Sequence, residues 1–352
     1  MSKSKVSLVG FFKSPLLRYL AIRFLLILPT VFILVSMVFF VMRAIGDPIT
    51  AALGGRLTPD ELHKRIHAAG YDRPVWVQYL EFLGQVARLD FGRTLTTNQS
   101  IGEVFATYGM ATLELSVYAI IIALLVGIPL GMIAARNRDT VKDASARLFA
   151  ILAYATPVFF VGLLLKLIFG VAIPILPIAG RASVSDELLL QTVPNASGFF
   201  LIDALRTGDA GLILDVLSHA VLPALALGLL TAGIFLRLVR TNMIGTLSMD
   251  YVDAARSRGV SEYRLTRKHA YKPALIPVIT VIGMQIAVLL SGAVLTETTF
   301  EWKGLGFQLS SFLNARDFVA VQGIVALLAV IVAVTNFIVD VIAALIDPRI
   351  KF

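Results

Sequence analysis

Apolar residues are gathered into six long runs, with polar and mixed segments between them. A helix that crosses a membrane needs about 20 mostly apolar residues, because the hydrocarbon layer is about 30 Å thick and each residue rises about 1.5 Å. The runs at 20–42, 112–134, 147–169, 216–236, 274–296 and 319–345 meet that requirement; the first is interrupted only by Arg23 near its start. The pattern predicts an all-α integral membrane protein with six transmembrane helices in one domain over 20–346, flanked by tails 1–19 and 347–352. The first run is too long, and too weakly followed by a small-residue cleavage site, for a removable signal peptide, so it reads as a retained helix.

The longer connections carry local signals of their own. Thr58-Pro59 opens a run with Leu62, Ile66 and Ala69 at helical spacing, and Gly70 closes it. Val75, Tyr79, Phe82, Leu83 and Val86 then form a second stripe through Ala87. Loop 170–215, rich in Pro and Gly, reads as a small folded cap.

Composition strengthens the membrane reading. Hydrophobic residues make up 57% of the 352 positions and charged ones 15%, and mean hydropathy is +0.84, whereas soluble domains carry about 25% charge. The chain has no cysteine, which excludes disulfides, thiol catalysis and thiolate-held metals, and its four histidines are scattered. The net charge of +8 is unevenly distributed. Segments 1–23, 135–147, 237–273 and 346–352 hold 19 basic and 6 acidic residues; loops 43–111, 170–215 and 297–318 hold 11 and 15. Basic density marks the cytoplasmic side, so both termini are expected there, with loop 237–273 between spans four and five. The excess charge then reflects orientation and attraction to anionic lipid, with no need of nucleic acid. The expected location is a bacterial inner (plasma) membrane, crossed several times.

Catalytic chemistry is not expected. No G-x-x-x-x-G-K-[ST] occurs, so ATP binding of the P-loop kind is excluded. Ser218-His219 is simple adjacency, and His219 reads as a helix-end residue. Glu114 reads as a carboxylate at the favourable N-terminal end of span two, Asp340 as a partner for a cytoplasmic Arg, and Lys166 as a snorkelling side chain. No chain of buried carboxylates suggests proton coupling. Pro129 and Pro157 allow bending, and Gly127 with Gly131 and Gly228 with Ala232 suit close helix packing, within one chain or between two.

The segment Asp250-Tyr251-Val252-Asp253-Ala254-Ala255-Arg256-Ser257-Arg258-Gly259-Val260-Ser261 predicts a helix capped by Asp250, a turn at Gly259 and a second helix capped by Ser261 that ends near Ala270. Ala254 and Ala255 offer a smooth patch ringed by Arg256, Arg258, Arg264, Arg267 and Lys268. Taken alone, this is also what an ordinary positive-inside loop with two surface helices looks like.

Its residues are similar to something more specific. Asp253-Ala254-Ala255, three residues and Gly259, then Leu275-Ile276-Pro277, resembles the EAA loop of ABC-importer permeases, with Asp253 in place of the usual Glu. Gly46-Asp47-Pro48, Tyr71-Asp72-Arg73-Pro74, Gln78-Tyr79-Leu80, Leu89-Asp90-Phe91-Gly92 and Ala111-Thr112-Leu113-Glu114-Leu115 resemble segments of dipeptide and oligopeptide permeases. So do Thr296-Glu297-Thr298-Thr299-Phe300-Glu301-Trp302-Lys303-Gly304-Leu305-Gly306, with Lys303 where Pro is usual, and the closing Asp347-Pro348-Arg349-Ile350. Gly198-Phe199-Phe200-Leu201-Ile202-Asp203 looks particularly like the B-type dipeptide permease subunit. The likeness covers about residues 18–352; before it, Phe11, Phe12, Leu16 and Leu17 interleaved with Lys13 and Arg18 fit an interfacial helix or a disordered tail.

The resemblance implies a type I ABC importer permease, a transport subunit without cofactor of its own. Its coupling helix, with Asp250, Asp253, Ala254, Ala255, Arg258, Gly259, Val260 and Ser261, would dock on a cytoplasmic ATPase. Asp47, Pro48, Asp90, Gly92, Glu297, Trp302, Gly304 and Gly306 would serve as contacts for an extracytoplasmic solute-binding protein. The implied partners are a second homologous permease in a heterodimer and two ATPases, or one fused pair, that bind ATP and Mg. Dipeptides or short oligopeptides are the implied cargo. Related permeases for nickel or another small solute share the motifs, and an ion-coupled secondary carrier is the alternative of another class.

Overall fold

The computed structural model describes residues 15–346. Phe11, Phe12 and the closing Asp347-Pro348-Arg349-Ile350 lie outside the described residues. In chain order the helices are α1 (Pro15–Ile45), α2 (Pro48–Leu53), α3 (Pro59–Ala69), α4 (Val75–Ala87), α5 (Ile101–Arg136), α6 (Val141–Ala155), α7 (Val158–Lys166), α8 (Val184–Gln191), α9 (Phe200–Thr207) and α10 (Ala210–Leu247). There follow α11 (Asp250–Ser257), α12 (Glu262–Arg264), α13 (Tyr271–Gly292), α14 (Val294–Thr299), α15 (Leu305–Asn314) and α16 (Phe318–Ile346). Wider π-type turns extend α7 through Leu167–Ala172 and join α12 to α13 through Leu265–Ala270. No β-strand occurs among the described residues, only an isolated bridge between Arg93 and Ser100.

Among the described residues four helices are long and apolar enough to cross a membrane, and a fifth crossing is formed if α6 and α7 count as one bent span. Helices α5 and α10, of 36 and 38 residues, are about 54 and 57 Å long at about 1.5 Å per residue. They overrun the apolar stretches 112–134 and 216–236 because hydropathy registers only the part inside hydrocarbon. The expected straight span 147–169 is instead broken: α6 and α7 meet at 101°. Pro157 has no N–H, and its ring pushes the preceding residue out of the helical region, so Thr156 sits at φ −85°, ψ 128°. Pro129, by contrast, stays inside the continuous α5.

The chain divides into two compact units. Unit one joins the segment up to Phe105 with the segment from Ser311 onward. Here α1 lies along α16, with the Phe24 and Phe337 rings edge to face at 5.5 Å and Arg23 Nε 3.4 Å from Asp340, the pairing foreseen for that carboxylate. Helix α4 packs on α1 through Phe82 stacked on Phe39 at 5.6 Å and a 2.6 Å hydrogen bond between Ser36 and Tyr79. As the sequence predicts, α3 opens after Thr58 and ends at Gly70, which lies in the left-handed region; Thr58 and Glu61 also cap it reciprocally. Asp317 accepts from Thr96 N at 2.9 Å and from Ala320 N at 3.0 Å, tying the loop before α5 to the start of α16.

Unit two spans Ala106–Ser310. Its core rests on glycine contacts between α5 and α10. A methyl group on Gly127 would lie 2.7 Å from the Ala232 carbonyl oxygen, one on Gly131 2.8 Å from that of Leu236, and one on Gly228 2.8 Å from the Ile122 side chain. These small residues therefore bring two helices of the same chain together. The cap of loop 170–215 closes over a small core of its own, in which Leu190, Phe200 and Ala204 pack against Leu212 and Val216 at the start of α10.

Candidate functional site

A buried ion pair lies in unit two. Because α5 starts at Ile101, Glu114 stands four turns into the helix, not at the helix start where the sequence placed it. It is fully buried and receives a guanidinium N–H of Arg181, the Tyr118 hydroxyl at 2.7 Å and Leu201 N at 3.0 Å. Arg181 also donates to Gly198 O at 2.8 Å and lies 3.6 Å from the centre of the Phe200 ring. Two charges removed from water persist only when paired and hydrogen-bonded in this way. Sequence reading singled out Glu114 but missed Arg181, which sits 67 positions away in the cap.

The Trp302 and Glu297 segment makes a second buried corner. Thr112 donates to Glu297 at 2.7 Å and accepts from Leu305 N at 2.8 Å, while Phe307 N donates to Glu297 at 2.9 Å. The Trp302 indole N–H donates to Ala111 O at 2.8 Å. A methyl group on Gly304 would lie 2.5 Å from the Glu297 carboxylate, and one on Gly306 2.6 Å from Val294 Cα. Glu297, Trp302, Gly304 and Gly306 are therefore interior rather than the outward-facing contacts expected from their motif. The motif folds the chain back on itself, and the glycines let backbone approach a carboxylate. Burial raises the Glu297 carboxyl to about 7. Lys303 stays exposed and pairs with Glu187 at 3.0 Å. Lys166 does not snorkel: its half-buried ammonium donates to Thr299 O at 2.8 Å.

In unit one, Asp47 caps α2 by accepting from Thr50 N at 2.7 Å, with Pro48 buried as the first helical residue. Asp90 accepts from Gly92 N at 3.0 Å, and Gly92 takes φ +85° to close that turn. Both motifs build turns.

The basic segment after α10 forms a helical hairpin. Helix α10 continues through Arg237 and Arg240 to Leu247, so the first eleven residues of the expected loop 237–273 are helical. Arg240 holds Asp143 of α6 with two hydrogen bonds, 2.6 Å from Nε and 2.8 Å from a terminal nitrogen. Met249 rather than Asp250 occupies the N-cap of α11, making Asp250 its first residue, where a carboxylate suits the helix dipole. Gly259 N donates to Arg256 O and Val260 N to Ala255 O, the paired bonds of a Schellman ending, with Gly259 at φ +79°. Ser261 occupies the N-cap position of α12 without a side-chain capping bond, and the second helix, expected to end near Ala270, instead runs on through Leu265–Ala270 into α13. Val252, Leu265 and Thr266 are buried beneath, and Arg256 ties the two helices by pairing with Asp253 and Glu262. Asp250, Asp253, Ala254, Arg258 and Ser261 are exposed, with Ala255 and Val260 half-buried beside them. None of the eight residues is buried, and all lie within the stretch 250–261.

His219 lies inside α10, its Nδ1 2.9 Å from Asp215 O, and is no helix-end residue. Among the described residues no three His, Asp or Glu side chains are grouped to hold a metal ion.

Long apolar helices enclosing a paired buried charge fit an all-α membrane protein. The binding-protein-dependent transport system inner membrane component family matches residues 127–352, and its N-terminal companion matches residues 16–123. The chain belongs to that family. It is 37% identical over 338 residues to the di/tripeptide transport system permease protein DppB of Pseudomonas aeruginosa, covering 96% of this chain and 99% of the relative. The dipeptide transport system permease protein DppB of Escherichia coli K12 gives the same identity and coverage. That of Haemophilus influenzae is 35% identical over 331 residues, 94% of this chain and 98% of the relative. The protein is thus an inner-membrane permease component of a binding-protein-dependent transport system.

Proposed function

We propose that this chain is the B-type permease subunit of an ABC importer that carries dipeptides or short oligopeptides inward. The observation that carries the reading is likeness over nearly the whole chain to permeases named for dipeptide and di/tripeptide transport. In this reading six spans are formed by α1, α5, the bent α6–α7 pair, α10, α13 and α16, and both termini face the cytoplasm. Helix α13, of 22 residues, is about 33 Å long, enough for a crossing. In the same reading the basic segments 135–147 and 237–273 lie on the side that holds both termini, in keeping with their density of Lys and Arg.

The hairpin of α11 and α12 is the coupling element. Its exposed Ala254 leaves room for close approach, Arg258 and Asp253 flank it, and the Gly259 turn fixes the angle between its helices. A second homologous permease completes the pore, two ATPases or one fused pair bind ATP and Mg and dock on the hairpin, and an extracytoplasmic binding protein delivers peptide. ATP shifts the permease between inward- and outward-open states only as far as the ATPases bind the two states differently. Turns built by Asp47, Pro48, Asp90 and Gly92, and the exposed Lys303 beside the buried corner, shape the outer face.

The test is uptake by proteoliposomes holding both permeases, the ATPases and the binding protein. The reading predicts ATP-dependent accumulation of a labelled dipeptide that collapses without the ATPases. Accumulation driven by an ion gradient without ATP, or of nickel alone, would contradict it.

A further inference from the structure

A groove of about 440 Å³ lies between α6 and α10 in unit two. The two helices run antiparallel there. Arg240 bonds Asp143, while Gly233 meets Ala150 so closely that a methyl group on the glycine would lie 3.1 Å from the Ala150 carbonyl oxygen. The lining changes character along the helices. Arg147, Arg240 and Thr241 line one end, and Ala155, Gly233 and Ile234 the other. From Arg147 to Ala155 on α6, or from Thr241 to Gly233 on α10, the change takes about 12 Å, eight residues at about 1.5 Å each. The groove is open: Arg147, Ile151, Tyr154, Ala155, Arg237 and Thr241 are all exposed.

Three guanidinium groups line the groove, and their charges are unequally met. Arg240 is bound twice to Asp143, which is buried. Arg147 reaches the same carboxylate at 3.7 Å. Arg237 has no hydrogen bond or ion pair among the described residues, and its guanidinium carbon lies 5.8 Å from the centre of the Tyr154 ring. One carboxylate against three guanidinium groups leaves an excess of positive charge. That excess sits where the apolar runs 147–169 and 216–236 end, a depth at which an arginine calls for an anionic partner.

We propose that the groove holds one anionic phospholipid. Its phosphate accepts from Arg237 and Arg147, and an acyl chain lies along Ile151 and Ile234 over Gly233. Basic at one end and apolar at the other, the groove is the complement of an amphiphile, and basic pockets between membrane helices suit anionic headgroups. A peptide would set its main-chain N–H and C=O groups against the apolar half without partners. A free phosphate would use the basic end alone. The exposed apolar surface continues beyond the groove through Leu148 and Leu152 of α6, so a lipid enters from the side.

The inference rests on the proposed order of crossings, which puts the basic end at the cytoplasmic leaflet. Native mass spectrometry of the full transporter, titrated with phosphatidylglycerol or with phosphatidylcholine of the same chains, counts the lipids retained. Wild type should retain at least one phosphatidylglycerol at concentrations where phosphatidylcholine is not held. Arg237→Gln should need about tenfold more phosphatidylglycerol or more to fill that site, the effect of losing one charged hydrogen bond. Ile151→Trp fills the apolar half, keeps every arginine and should weaken the same retention; it decides the matter if Arg237→Gln fails to assemble. Equal retention of the two lipids, or retention unchanged in both variants, would overturn the proposal. So would displacement of the lipid by glycylglycine, or by glycerol 3-phosphate, which lacks acyl chains. Loss of the partner permease from the variants with lipid retention unchanged would assign the groove to the subunit interface and overturn it as well. ATP-driven dipeptide uptake by the same wild-type preparation tests the function reading separately from the lipid count.

Discussion

Arg240 of α10 clasps Asp143 of α6 with two parallel hydrogen bonds of 2.6 and 2.8 Å. The carboxylate is fully buried, and hydrogen bonding to Arg240 holds it down at about 2. A carboxyl lowered in the folded state stabilises the fold above its ordinary value of 3.8, and that contribution is lost as pH falls toward 2. Asp143→Asn is expected to cost about 1.5–3 kcal/mol at neutral pH. Denaturation in detergent from about pH 5 down to about pH 3 should show wild type losing more stability than the variant.

Glu114 and Arg181 form the more deeply buried pair, so removing one partner strands the other's charge. Arg181→Met or Glu114→Leu alone should each cost about 3–5 kcal/mol, while the double replacement should cost far less than their sum. A double-mutant cycle on thermal melting measures the coupling, and simple additivity would refute the pairing.

Glycine matters where α5 meets α10 and much less elsewhere. Gly127→Val places atoms where the Ala232 carbonyl already sits and should lower melting by an amount equivalent to about 1–3 kcal/mol or more. Gly245→Ala, at an exposed site of α10 with nothing near, should be neutral or stabilise by up to about 1 kcal/mol. Melting curves of the two variants should separate clearly.

Glu297 behaves oppositely to Asp143. Its carboxyl is raised from 4.5 to about 7 by burial, so the folded state holds a proton that the unfolded chain releases. The stabilisation is full below pH 4.5 and is lost as pH rises through 7. Glu297→Gln should flatten that decline, as seen in melting temperatures at about pH 5 and about pH 8.

The helices were readable where one local signal governs them. Lipid demands apolar length, so four of the runs fall on helices long and apolar enough to cross a membrane and a fifth on the bent α6–α7 pair, and Thr58-Pro59 and Gly70 mark both ends of α3. Helix ends beyond the hydrocarbon escaped, because residues 101–111 and 237–247 are held by packing. Pro157 announced a bend but not its 101° angle. Long-range partners were hidden: nothing near Glu114 points to Arg181, and Gln78 lies buried beside an apolar stripe that gives no hint of its amide. The outer motif around Trp302 was legible as a motif, yet its burial was not, because the residues that cover it come from α5. The hairpin of α11 and α12 was the most legible part of the candidate site, since caps and a left-handed glycine are local chemistry.

That hairpin bears the central claim, and Gly259 tests it most directly. At φ +79° with open space around its Cβ position, substitution there strains backbone alone. Asparagine tolerates this conformation, and valine disfavours it by about 1–2 kcal/mol or more. In proteoliposomes with both ATPases, the partner permease and the binding protein, Gly259→Asn should retain dipeptide uptake. Gly259→Val should insert and assemble normally but hydrolyse ATP with little or no uptake. Wild-type uptake by Gly259→Val would contradict the coupling role.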